Sequence, residues 1–125
     1  KVKKKFGDVT LTYGFCCYEL SKAIKKNIYP KTDQHAGYEK DFKNNYICER
    51  RGFAADFFVK DKSSLEVAKW IVLNCNFDRI YFYGNDRPIH VSINEIQSKK
   101  IVLMKIYNIR RVPRNISIKN FLEMN

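Results

Sequence analysis

The chain has 125 residues, enough for one domain built on one core and too few for two. Its 45% hydrophobic and 14% aromatic content excludes a disordered chain, and no window approaches the roughly 20 apolar residues of a membrane-spanning helix. A formal charge of +11, from 24 Lys and Arg against 13 Asp and Glu, requires a solvated surface or an acidic partner such as nucleic acid, an anionic cell-wall polymer or an acidic protein.

The chain opens on a basic N-terminal segment, residues 1–12, whose densest run is Lys1, Lys3, Lys4 and Lys5 and which reads as a frayed start. Residues 13–125 read as a single domain. Cys17, Leu20, Ala23, Ile24 and Ile28 recur at three- and four-residue steps and predict a helix over about Cys17 to Lys26. Tyr29 to Arg51 is polar, carries Pro30 and Gly37, and reads as a long loop of the kind that is usually functional or mobile.

Phe53 to Val59 predicts a buried strand. Ser63 and Glu66 form a Ser-x-x-Glu capping box at the start of a second helix, whose core face is Leu65, Ala68, Ile71, Val72 and Cys75. Arg79 to Tyr83 and Ile89 to Ile93 read as a hairpin turning at Gly84 to Arg87. Ile101 to Ile109 predicts a further strand, and Ser117 caps a short terminal helix carrying Phe121 and Leu122. The sum is an α+β domain: a small antiparallel sheet with two main helices packed on it.

Four cysteines, Cys16, Cys17, Cys48 and Cys75, admit three pairings, but no signal peptide precedes them and the adjacent Cys16 and Cys17 do not bridge readily. A reduced, cytoplasmic setting is therefore expected. The chain begins with Lys1 rather than Met, as it would if a leader or an upstream domain had been removed.

The chain contains two histidines, His35 and His90, on either side of a strand that carries Asp56. Tyr13-Gly14-Phe15-Cys16-Cys17-Tyr18-Glu19-Leu20-Ser21 resembles the Ser-Gly-Tyr-Arg-Ser-x-x-Leu-Asn entry to the first helix of the D-Ala-D-Ala carboxypeptidase and hedgehog superfamily. Asp33-Gln34-His35 and Gly52-Phe53-Ala54-Ala55-Asp56 resemble the two halves of its Ser-x-His-x-x-Gly-x-Ala-x-Asp motif, and Ile89-His90-Val91-Ser92 resembles its closing motif. The pieces occur in the family's order between about Tyr13 and Ile93. The resemblance implies a hedgehog or D,D-peptidase-like fold with zinc held by His35, Asp56 and His90. Two neutral imidazoles and one carboxylate leave zinc a fourth position, as a catalytic site requires. The small residues Gly52 and Ala54 would let other backbone, or substrate, come close to the strand.

The chain departs from that pattern in three places. Ala36 to Arg51 is an insertion of sixteen residues where the family has two, and an ungapped alignment would make Glu49, rather than His35, the first ligand. Cys16 stands where the family has the arginine that helps hold the substrate's carboxylate, so Arg50, Arg51 or Arg87 must supply that cation if any residue does. Arg87 stands three residues before His90, where relatives carry a Glu general base. Asp86 is the neighbouring carboxylate and the candidate base.

Two functions follow as expectations. The first is a zinc-dependent peptidase or amidase acting on a peptide or cell-wall substrate of peptidoglycan type, with Asp86 as base and Arg50, Arg87 and Tyr83 contacting substrate. The second is an inactive module of the same fold that binds an acidic ligand or nucleic acid. For the latter, Tyr81, Phe82 and Tyr83 beside Arg79 and Arg87 are the candidate stacking residues, but alternation puts Tyr81 and Tyr83 on one face and Phe82 on the other, so at least one face is expected to pack a core.

Overall fold

The protein is described from a computed structural model that covers residues 1–24 and 32–125. Helix α1 (Val2–Phe6) leads into strand β1 (Val9–Tyr13) and helix α2 (Tyr18–Ala23), and a 3₁₀ turn (Gln34–Ala36) follows. Then come β2 (Phe53–Val59), α3 (Ser64–Asn74), β3 (Arg79–Phe82), β4 (Ile89–Ile93), β5 (Lys100–Tyr107), β6 (Arg110–Ile116) and α4 (Ile118–Leu122). The six strands form one sheet in the order β1-β2-β4-β3-β5-β6.

The α+β class is as expected, but the sheet is larger than predicted and mixed. β3 and β5 pair in parallel, while every other neighbouring pair is antiparallel. The cause is occupancy. β4 is already bonded to β2 on one edge and β3 on the other, so the next strand joins the free edge of β3, and two reversals of direction leave β5 running parallel to it.

The two-residue period of the strands divides the sheet into unlike faces. Phe57, Val59, Ile80, Phe82, Ile89, Ile101 and Leu103 form one core with Leu65, Val67, Ala68 and Ile71 of α3 and with Phe121 of α4. At about 1.5–3 kcal/mol for each fully buried large apolar side chain, this face is the main source of stability. The prediction of two main helices is corrected here. Among the described residues only α3 is long, and none of those in α2 joins the core. Ile24 is already extended and ends α2; the predicted continuation through Lys25 and Lys26, with Ile28, lies outside the described residues.

Local sequence explains most boundaries. The Ser63 hydroxyl accepts the Glu66 N–H at 3.1 Å and caps α3, whereas the Glu66 carboxylate turns outward to Lys62 at 2.9 Å instead of closing the box. The lysine-rich start is helical rather than frayed, because Phe6 packs edge-on against Trp70, with ring centroids 5.4 Å apart. The strand expected over Ile101 to Ile109 is the first half of a hairpin that turns at Asn108 and Ile109. No helix among the described residues is long and apolar enough to cross a membrane.

Candidate metal centre

The opposite face of the sheet carries a row of polar side chains. Asp56 on β2 is paired with His90 on β4, and His90 with Tyr81 on β3. β1 completes the row through an irregularity. Leu11 faces Phe57, but Tyr13 faces Asp56, so Thr12 is an extra residue that shifts the strand by one. Without that bulge Tyr13 would point into the core; with it, the ring joins the polar face.

His35 reaches the row from the 3₁₀ turn. Asp33 caps this turn by accepting the His35 N–H at 2.9 Å, and the His35 carbonyl accepts the Cys16 N–H at 3.0 Å. The ring Nδ1 lies 2.6 Å from the Gly14 carbonyl oxygen. A carbonyl can only accept, so Nδ1 carries the proton and, in the neutral ring, Nε2 presents its lone pair to the row.

There three ligand atoms converge. His35 Nε2 is 3.2 Å from Asp56 Oδ1 and 3.1 Å from His90 Nδ1, and His90 Nδ1 is 2.8 Å from Asp56 Oδ1. Both histidines are buried and Asp56 is partly so. A tetrahedral ion about 2.0–2.1 Å from its ligands separates them by roughly 3.3 Å, close to the triangle formed here. The three side chains could hold a metal ion. With His35 neutral, its Nε2 and Asp56 Oδ1 are acceptors, and His90 Nδ1 either donates its N–H to Asp56 or, in the other tautomer, offers a third lone pair that an ion would use.

The ionisation pattern follows from this crowding. Burial opposes the Asp56 carboxylate, but the hydrogen bonds and charge of His35 and His90 outweigh burial and hold its pKa at about 2. Burial also opposes protonated His35, yet Asp56, with help from Asp33 and the Gly14 carbonyl, raises its pKa above the usual value. Burial pushes the Tyr83 phenol up to about 12, and the negative charge of Asp56 adds to the effect.

Around the triad the sequence-derived residues separate. Arg50 comes close: its Nη1 is 3.5 Å from the Tyr81 hydroxyl, and the Tyr81 ring lies edge-on to His90 at 5.0 Å. Tyr83 is half-buried on the same face as Tyr81, with Arg111 over its ring at 5.3 Å. Asp86 and Arg87 lie exposed in the turn before β4, and the Asp86 carboxylate folds back towards Gly84. Glu49 is exposed at the end of the inserted loop and takes no part in the cluster. Phe82 is a core residue, on the side opposite Tyr81 and Tyr83, as the alternation of the strand predicts. Cys16 is fully buried and offers no cation.

Sequence reasoning passed over the group that seats the 3₁₀ turn. Asp78 is buried, and its carboxylate accepts from Gln34 Nε2 at 2.9 Å, Ser98 Oγ at 2.5 Å and Asn94 Nδ2 at 3.4 Å. Burial disfavours its charge, but the hydrogen bonds from Ser98 and Gln34 keep its pKa below the ordinary range. Gln34 also donates to the Arg51 carbonyl at 3.0 Å. The residue before His35 is thereby tied to the far end of the insertion and to the start of β3. The available signal was a carboxylate directly between the apolar run of α3 and a buried strand, where a solvated Asp would not be expected.

Two glycines close the insertion. A Cβ on Gly37 would run into the Gly52 carbonyl, and one on Gly52 would run into the Ile93 carbonyl. Gly52 also has φ +94°, which side-chain-bearing residues rarely adopt. The close approach anticipated at Gly52 therefore holds together the two ends of the loop that carries His35.

Compared with known proteins, the chain matches no family model, no curated protein and no solved structure.

Proposed function

We propose that the chain is a zinc-dependent peptidase or amidase, with His35, Asp56 and His90 holding the ion. The observation that carries this reading is the triangle of two imidazole nitrogens and one carboxylate oxygen, 2.8–3.2 Å apart, that could hold an ion. Two imidazoles and one carboxylate form a ligand set that leaves zinc a position for reactants. Bound zinc supplies a Lewis acid for a carbonyl and lowers the pKa of a coordinated water.

The Gly14 carbonyl orients His35 and fixes its tautomer, the outer-shell role that metal-binding histidines commonly need. Tyr83, with a pKa of about 12, stays protonated at working pH and serves as a donor to oxygen on the substrate. Arg50, beside Tyr81, replaces the cation that Cys16 lacks and receives a carboxylate or carbonyl of the substrate. Asp86 is the proposed base, exposed in the turn that enters the His90 strand. The ordered motifs resembling the D-Ala-D-Ala carboxypeptidase and hedgehog superfamily support a peptide of peptidoglycan type as substrate, in a bacterial or phage setting.

The test is metal analysis of protein purified without added zinc, alongside His90→Ala, followed by hydrolysis assays on a panel of peptidoglycan-type peptides with Asp86→Asn and Arg50→Gln. One zinc per chain in the parent and loss in His90→Ala are expected. Asp86→Asn should lower kcat, and Arg50→Gln should mainly raise KM. Absence of transition metal from both parent and variant would remove the enzyme reading.

A further inference from the structure

The hairpin of β5 and β6 extends beyond the sheet. β3 pairs with β5 only from Lys100 to Leu103, whereas β5 pairs with β6 along its whole length from Ile101 to Tyr107. From Met104 to Pro113 the two strands therefore pair their backbones only with each other, as a ribbon, with Arg111 reaching back over the Tyr83 ring at 5.3 Å. Every residue of β6 except Ile116 is exposed.

The ribbon's chemistry is one-sided in charge. Between Ile96 and Leu122 there are seven Lys and Arg and no Asp or Glu. Lys105, Arg110, Arg111 and Arg114 lie on the ribbon or at its base, and none forms a salt bridge among the described residues. Interleaved with them are Ile106 (68% exposed), Tyr107 (70%) and Ile109 (99%).

Protection of an edge strand against self-association explains the charges and Pro113, but not these apolar residues. Ile109 is the least expected of them. It has φ +64° in the second position of a two-residue turn, next to Asn108 at +44°. Such turns favour Asn-Gly, and a β-branched residue there is strained. The fold holds an isoleucine in an unfavourable conformation in order to present it fully to solvent, and strain of that kind is found where a side chain contacts a ligand.

We propose that the β5–β6 ribbon is a docking arm for duplex DNA, with Lys105, Arg110, Arg111 and Arg114 on the phosphates and Ile109 and Tyr107 against the groove. The occupant follows from charge complementarity and from the pattern of the ribbon. A bilayer would favour an apolar tip with cations set back from it, but here Arg110 directly follows Ile109 and is paired with Tyr107. Cations interspersed with apolar groups along two strands match a linear row of phosphates flanking base edges. The major groove of B-form DNA admits a two-stranded ribbon and offers thymine methyls for apolar contact. The corresponding groove of an RNA duplex is too narrow for side chains to read. The seat differs from the Tyr81 to Tyr83 strand suggested by sequence, whose tyrosines face the metal centre, and the proposal does not depend on metal or hydrolysis.

The test is fluorescence anisotropy of a short labelled DNA duplex titrated with the whole chain. Four phosphate contacts predict a loss of affinity of roughly 100-fold between about 50 and 200 mM salt. The variant Arg110→Gln/Arg111→Gln/Arg114→Gln, changed only at exposed positions, should weaken binding at least tenfold and flatten the salt dependence. Ile109→Gly relieves the turn, so it should raise the melting temperature while weakening binding severalfold, a pair of opposite signs that misfolding cannot produce. The same proteins are sedimented with phosphatidylglycerol-containing vesicles. No anisotropy change at the lower salt, equal affinity in the triple variant, unchanged affinity in Ile109→Gly, or capture by vesicles without duplex binding would each overturn the proposal.

Discussion

The two faces of the sheet obey the same alternation and have opposite requirements. On the helix-covered face, Ile80, Phe82 and Ile89 meet Phe121 and α3, and each contact lowers the free energy of the fold without regard to direction. On the other face, Asp56, His90 and His35 bring one carboxylate oxygen and two ring nitrogens together, an arrangement that depends on direction and protonation and that a bound cation would strengthen. Neighbouring residues of one strand, such as Ile89 and His90, therefore belong to separate economies of stability and chemistry. Substitutions that affect one face should leave the other readable.

The largest expected effect is on the apolar face. Phe121 is fully buried and packs edge-on against Phe82, with ring centroids 5.7 Å apart. Phe121→Ala should cost about 3–5 kcal/mol in urea unfolding, while the protein that remains folded keeps its zinc stoichiometry. A parallel loss of zinc would show that the faces are coupled.

Next in size is the contribution of the proposed zinc. Zinc at about 100 to 1,000 times its Kd should stabilise the parent by roughly 3–4 kcal/mol. In His90→Ala that increment should vanish, while the zinc-free variant loses less stability than Phe121→Ala, because without the ion a few polar contacts contribute less than a fully buried aromatic ring. Thermal unfolding with and without zinc measures both quantities.

Acidity should separate the faces more finely. His35 has a raised pKa in the folded chain, so its contribution to zinc-free stability is complete below the unfolded value and is lost as pH rises through the folded value. Asp56, held at about 2, contributes above its unfolded pKa and loses that contribution only as pH falls towards about 2. Zinc-free protein should therefore lose some stability as pH rises across the His35 titration. With zinc the slope should reverse, because the ion displaces the His35 proton. Denaturant titrations at several pH values, with and without chelator, check the sign, and parallel slopes would detach His35 from the ion.

The smallest effect concerns the inserted loop. Chelation should speed tryptic cleavage at Lys40 and Lys43, and more weakly at Arg50 and Arg51, since Gln34 still grips the Arg51 carbonyl without metal. α3 and the β3–β4 hairpin should stay protected. Equal cleavage rates with and without chelator would mean that the ion does not restrain the loop carrying His35.

Much of this arrangement is legible in the residues. Strand Phe53–Val59, the helix capped by Ser63 and the pair of strands around Gly84 stand where periodicity and turn chemistry predict them. His35, Asp56 and His90 were singled out together through the order of their motifs, and the structure brings them into one cluster that could hold a metal ion. β1, β6 and the parallel pairing of β3 with β5 were not. β1 is five residues long with an exposed middle, and β6 is exposed along nearly its whole length, so neither carries the alternation that marks a half-buried strand.

The amino-acid sequence by itself determined which residues can face a core and which can bind an ion, because side-chain polarity and a two-residue period are local properties. Only the tertiary structure decided which of them meet. The bulge at Thr12 turns Tyr13 towards Asp56, and the Asp78 carboxylate holds Gln34 so that His35 falls beside partners 21 and 55 residues away. The return of β5 to the free edge of β3 leaves a cationic ribbon projecting from the sheet. Each of these depends on which backbone groups are already occupied when another segment arrives, and no local pattern in the chain records that.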